Sequence, residues 1–364
     1  MKFSEYKYER PNFEKDKAEI EELVQKINAA TKKEEQFAAI DQMNVLRNKF
    51  DTMFTLSSIR HSINTNDAFY EKENEFFDEK TPEYSNLIDG YLKAINNSKF
   101  KDALIEKYGK YLFDKIDVQL KTFKPEIMED MVLENKLVTK YGKLIASAKI
   151  EFDGKICNLS QMTPYTQSRN RGTREKAQLA ISHFFEEHEQ EIDELYDQMV
   201  KVRTTMAKKL GFENYVDLGY ARLGRTDYNK NMVANYRKQV YESLVPVSQQ
   251  LIERQRIRLG LDSLKYFDLG LKFLSGNAKP VGNRDYLVEQ AQKMYSEMSR
   301  ETKEFFDFMV KHELLDLEAK EGKQSGGYCT YIPEYKSPFI FSNFNGTSGD
   351  VDVLTHEAGH AFQV

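Results

Sequence analysis

Long apolar runs and a strongly one-sided charge are missing from this 364-residue sequence, and cysteines are scarce. No stretch approaches the roughly 18 consecutive apolar residues of a membrane-spanning helix. The opening MKFSEYKYERPNFEKDK has no apolar core of the kind a signal peptide needs. With only two cysteines, Cys157 and Cys329, there is no disulfide framework, and both are expected to be buried, reduced thiols. The formal charge is -5, with acidic and basic residues interspersed, whereas a phosphate-binding protein normally carries a basic face. These absences point to a cytoplasmic protein with neither a membrane nor a nucleic-acid partner. What remains is 40% hydrophobic and 30% charged, enough for a sizeable core and a well-solvated surface.

Glycine and proline are also scarce at first. Up to about residue 145 the only glycines are Gly90, Gly109 and Gly142, and the only prolines Pro11, Pro82 and Pro125. EKDKAEIEELVQKINAA places Ile20, Leu23, Val24 and Ile27 on one helical stripe, and helix-period segments follow it. Near 146–158 the pattern changes. Ile150 and Phe152, then Ile156, flank Asp153-Gly154, a pair suited to the positive φ angles of a tight hairpin. One long helix is then expected from an N-cap at Thr173 to a stop at Gly211, with others near 229–259 and 284–312. From Gly322 the chain becomes rich in glycine and aromatics, and two short strands are expected around Pro333–Pro338, then a helix after Gly349-Asp350. The expected fold is mainly α, two-lobed, with a small β-sheet beside the last helix. Residues 1–170 would form an N-terminal helical lobe that includes the hairpin, and residues 171–364 the front part of a second lobe.

That last helix carries VDVLTHEAGHAFQV. Residues four apart share a helical face, so His356 and His360 can offer imidazole nitrogens to one ion. Zinc takes such ligands, and a catalytic zinc site keeps three protein ligands and a water. Glu357, one step round the helix, would sit beside that water as general base, taking its proton and passing it to the leaving amine. With six histidines in the chain, chance supplies on the order of 0.01 such motifs. The uncharged neighbours Val353, Leu354, Thr355, Ala358, Ala361 and Phe362 suit a helix buried beside a cleft, and Gly359 suggests a packing or clearance role.

The segment GKQSGGYCTYIPEYKSPFIFSNFNGTSGDVDVLTHEAGHAF resembles the active-site region of the oligoendopeptidase F branch of the thimet oligopeptidase family, its smaller members and the Pz-peptidases above all. YTQSRNRGTREKAQLA resembles the same branch. The resemblance implies a two-lobed helical zinc endopeptidase whose deep channel admits short peptides and excludes folded proteins. It also implies His356 and His360 as zinc ligands and Glu357 as general base. Family members continue beyond this point and supply a glutamate as third ligand, together with tyrosine and histidine donors to the oxyanion. Without these, the chain is expected to hold zinc weakly and to hydrolyse little, and the segment that follows in the family becomes an expected partner, as a separate chain. A second reading stays open, a non-catalytic helical peptide-binding or scaffold protein with a vestigial metal motif.

Fainter signals complete the picture. Gly326–Ile332 could be an edge strand that pairs with an extended peptide, with Gly327 and Tyr328 as substrate contacts, or an edge merely covered by further structure. Arg169, Arg171 and Arg174 are expected to make ordinary surface salt bridges. His61, His183, His188 and His312 lack metal-ligand spacing, and His61 has no evident partner.

Overall fold

The computed structural model describes residues 1–364. Six helices come first: α1 (Phe13–Ala29), α2 (Lys33–Ile63), α3 (Ala68–Asn96), α4 (Lys101–Tyr108), α5 (Lys110–Gln119) and α6 (Met128–Ala146). A hairpin of β1 (Ile150–Phe152) and β2 (Lys155–Cys157) interrupts them. Then follow α7 (Leu159–Thr166), α8 (Arg171–Glu187), α9 (Glu189–Lys209), α10 (Tyr215–Arg222), α11 (Lys230–Gln239), α12 (Val245–Arg258), α13 (Arg284–Met298) and α14 (Arg300–Lys311). The chain closes with β3 (Leu315–Glu318), β4 (Tyr328–Ile332), β5 (Ser337–Phe344) and α15 (Gly349–Gln363). The fold is mainly helical with two small sheets, as the sequence led us to expect.

Local chemistry explains most of these elements. Asn12 caps α1 by accepting the Lys15 N–H, and Ile20, Leu23 and Ile27 are buried along its inner stripe. Asp153 and Gly154 turn the hairpin with φ of 53° and 72°, the left-handed pair that lets two strands meet without splaying. Pro82 lies inside α3 and cannot donate to the Asp78 carbonyl one turn back. The side chain of Asn135 on α6 donates to that carbonyl instead, at 3.0 Å, so the helix passes through the proline and docks α6 there.

The long helix expected from Thr173 is in fact two helices. Asn170 is the cap, accepting the Thr173 N–H at 2.9 Å. The break falls at His188, where the imidazole Nδ1 takes the Phe184 carbonyl that a continuing helix would pair with the His188 N–H. Gly211 does end α9, with φ of 88°. The 284–312 region is likewise split by Ser299, which caps α14. In the 229–259 region, α11 and α12 are joined through a π turn at Val240–Leu244, just before Pro246.

The second sheet positions the terminal helix. Its order is β3-β5-β4, with β5 parallel to β3 and antiparallel to β4. Phe339, Ile340 and Phe341 on the central strand are essentially inaccessible, and β4 pairs on one side only. The largest core surrounds this sheet and includes Leu56 and Ile59 of α2, while Ala39, Ile40, Met43 and Phe50 of the same helix belong to the N-terminal helical core. One helix therefore threads both cores.

Candidate metal centre

The approach to α15 is tied down before the helix begins. The Asp350 carboxylate accepts the N–H groups of Asn345 (2.9 Å) and Gly346 (2.8 Å), and the Asn345 amide donates to the Ser160 carbonyl at 3.0 Å. Burial pushes the Asp350 carboxyl above the usual carboxylate range. From there Leu354, Ala358 and Ala361 pack into the sheet core, which turns the opposite side of the helix outward.

His356 and His360 lie on that exposed side. Their rings are 4.7 Å apart at 81°, and their Nε2 atoms approach to 3.1 Å. Two imidazoles this close on one exposed face are a donor set that fits zinc. No group of three or more His, Cys, Asp and Glu side chains gathers there or elsewhere, so the two imidazoles stand without a third ligand-type neighbour.

Glu357 is buried, 9% exposed, on the flank of the helix turned toward β4. Cys329 lies close enough to feel its charge. Burial, and then the Glu357 carboxylate, push that thiol up to about 11. Cys329 is half-buried and Cys157 buried, both free and both in strands.

Gly327, just before β4, and Tyr328, its first residue, point to opposite faces. Gly327 faces α15, and a β-carbon there would meet Phe341 O and Val353 Cγ1, each at 3.3 Å, so a glycine lets helix and strand close together. Tyr328 faces α2, stacked on Phe341 with ring centroids 4.7 Å apart, its hydroxyl 2.6 Å from Ser62 Oγ. Gly359 has no atom of the chain within 4 Å of where a β-carbon would lie, so nothing in these residues requires the clearance expected of it.

Elsewhere two expectations fail. Arg171 and Arg174 do not make surface pairs. Both grip the fully buried Asp268, at 2.8 and 2.6 Å, and Arg174 is itself 2% exposed. Burial alone would raise the Asp268 carboxyl, but hydrogen bonds from Arg171, the Lys265 N–H and Arg174 outweigh it and hold the group at about 2. His61 does have a partner, being buried 2.9 Å from Glu71, which also binds Lys143. His183 lies in solvent beside Glu186 and Glu187, and His312 caps α14. Ser62 at the end of α2 and Thr65 just beyond it, which hold the β4 region, escaped the sequence reading because serines and threonines at a helix end carry no distinguishing signal.

Comparison with known proteins gives the family. Residues 3–123 match the profile described as peptidase M3 N-terminal domain, and residues 164–364 that of peptidase family M3. A search of curated proteins returns no match. Among solved structures, one titled Pz peptidase A with inhibitor 2 is 54% identical, with a TM-score of 0.98. A putative oligoendopeptidase F is 52% identical with a TM-score of 0.99, and another, from Bacillus anthracis strain Ames, is 50% identical with a TM-score of 0.98. All three are matched over 100% of this chain, which spans 64%, 64% and 67% of their own lengths. On the strength of both profile and identity, the chain belongs to peptidase family M3.

Proposed function

We propose that this chain supplies the metal-motif helix and the substrate-holding strand of a zinc-dependent endopeptidase acting on short oligopeptides. The observation that carries the reading is the 3.1 Å convergence of His356 and His360 Nε2 beside a buried Glu357 that faces a β-strand with one free edge. His356 and His360 hold the ion. Zinc, when bound, supplies Lewis-acid polarisation of a peptide carbonyl and acidifies a water molecule. Glu357 accepts the proton of the attacking water and delivers it to the departing amine. The free edge of β4 pairs with the backbone of an extended peptide, which holds substrate without reading every side chain. Two free thiols suit a reducing compartment, and we place the activity in the cytoplasm.

Two histidines are one ligand fewer than catalytic zinc uses, so these residues alone hold zinc loosely and turn over slowly. We propose that the third ligand comes from the polypeptide equivalent to the part of the relatives' chains outside the match, as a partner segment. Its seat is the α11–α12 face, where Met232, Tyr236, Leu244, Val247 and Leu251 are each more than half exposed. The test is cleavage of a quenched peptide by this chain combined with that segment of the 54%-identical relative. Glu357→Gln should abolish cleavage with zinc stoichiometry unchanged, and His360→Ala should lose the zinc. Wild-type turnover in Glu357→Gln would remove the proposed base.

A further inference from the structure

We propose that α2 positions the peptide-binding edge of β4, with the Ser62–Tyr328 hydrogen bond as its principal anchor. The inference rests on the reading of β4 as the substrate strand. Helix and strand region are joined at both ends. Thr52 Oγ1 accepts the Glu334 N–H at 2.9 Å, just past the C-terminal end of β4. At the other end the Ser62 carbonyl accepts the Gln324 N–H at 2.9 Å, and Thr65 donates through both N–H and hydroxyl to the Gly322 carbonyl at 2.8 Å. From Thr52 to Ser62 the helix rises about 15 Å, and from Tyr328 to Ile332 the strand extends about 13 Å, so the contacts bracket the whole strand.

Donor accounting shows what the Tyr328 hydroxyl does. Ser62 Oγ spends its single proton on the Ile59 carbonyl at 2.9 Å. Tyr328 must therefore donate to Ser62 Oγ, which is 2.6 Å away in a serine 3% exposed. That phenol is committed to α2 and serves the site as a positioning group. The opposite face of β4, bearing Gly327 and Cys329, lies against α15 and Glu357. The strand is thus held between two helices, one carrying the base and the other the anchor. The anchor also links the part of the chain matched as the M3 N-terminal domain to the part matched as the M3 family.

Tyr328→Phe is a clean perturbation, since it keeps the stacking on Phe341 and leaves no donor unpartnered. Ser62→Ala instead strands the phenol, and Ser62→Thr keeps a hydroxyl. Cys329, on the adjacent position of β4, reports strand seating through its alkylation by iodoacetamide, with Cys157 as internal control. In Tyr328→Phe, Cys329 should react several-fold faster, Cys157 at its original rate. Affinity for a fluorescein-labelled unstructured decapeptide should fall about 3- to 10-fold, the worth of one net hydrogen bond, with zinc uptake unchanged. Ser62→Ala should be worse than Tyr328→Phe, the double variant no worse than Ser62→Ala, and Ser62→Thr close to wild type. Wild-type alkylation of Cys329 in Tyr328→Phe overturns the anchor. Faster alkylation in a chain that binds no peptide even as wild type, with the partner segment added, leaves the anchor standing, but overturns its substrate role and the proposed function with it.

Discussion

Placing a single methyl group on Gly327 should separate stability from catalysis. Its β-carbon would lie 3.3 Å from the Phe341 carbonyl oxygen and 3.3 Å from Val353 Cγ1. Comfortable contact lies near the middle of the 3.5–4.0 Å range, so something must yield by a few tenths of an ångström, about 0.3–0.5 Å. Phe341 belongs to the central strand and is fully buried, whereas Val353 is half-buried on the second turn of α15. The helix therefore gives way, and one turn further along it carries His356 and Glu357. Overpacking of this kind costs about 1–3 kcal/mol, and a yielding neighbour puts Gly327→Ala near the lower end. Catalysis is more sensitive, since a 1 Å misplacement can cost on the order of 100-fold, so the expected shift removes about 4- to 10-fold of turnover. Urea unfolding should show a loss of about 1 kcal/mol, while kcat/KM on a quenched peptide, measured with the partner segment present, falls several-fold in protein that is fully folded. Undiminished kcat/KM in the folded variant would refute the claim that contact between Gly327 and α15 sets the position of the base.

The remaining predictions probe the scaffold. Asp268→Asn leaves the buried Arg174 without its counter-charge and should cost about 3–5 kcal/mol in urea unfolding, where a surface pair would cost less than about 1. Because the folded Asp268 carboxyl is held at about 2, below its unfolded value, its contribution is complete at neutral pH and drains away as pH falls from about 4 toward 2. Stability measured through that window should fall less steeply in Asp268→Asn than in wild type. Gly359→Ala meets no atom within 4 Å and should stabilise the chain by about 0.5–1 kcal/mol in thermal unfolding, through helix propensity alone.

Local periodicity was legible in the sequence, and long-range polar pairing was not. The α1 stripe, the Asp153-Gly154 turn, the strands on either side of Pro333–Pro338 and the paired histidines all announce themselves within a dozen residues. Strand β3 did not. LDLE is four residues long, and its partner β5 lies in parallel register beyond a long connection, with no turn chemistry to point to it. The break at His188 depends on a ring taking over a backbone role, which no composition rule foresees. Arg174 with Asp268, and Ser62 with Tyr328, meet across the fold, and before folding each looks like an ordinary solvated side chain.

Tyr328 shows most clearly why this matters for the site. Its strand could be found from the aromatic pattern, but a period of two cannot say which face meets α15 and which meets α2. A shift of one residue exchanges Tyr328 with Cys329 beside Glu357. What decides the register is a glycine that admits the helix on one side and a serine that binds a phenol on the other. The histidine pair fixes what chemistry the helix can perform, while residues as distant as Ser62 fix where a peptide must lie to undergo it. A relative that retained HEAGH but replaced both Gly327 and Ser62 would keep the means of holding an ion and lose the alignment of strand and base.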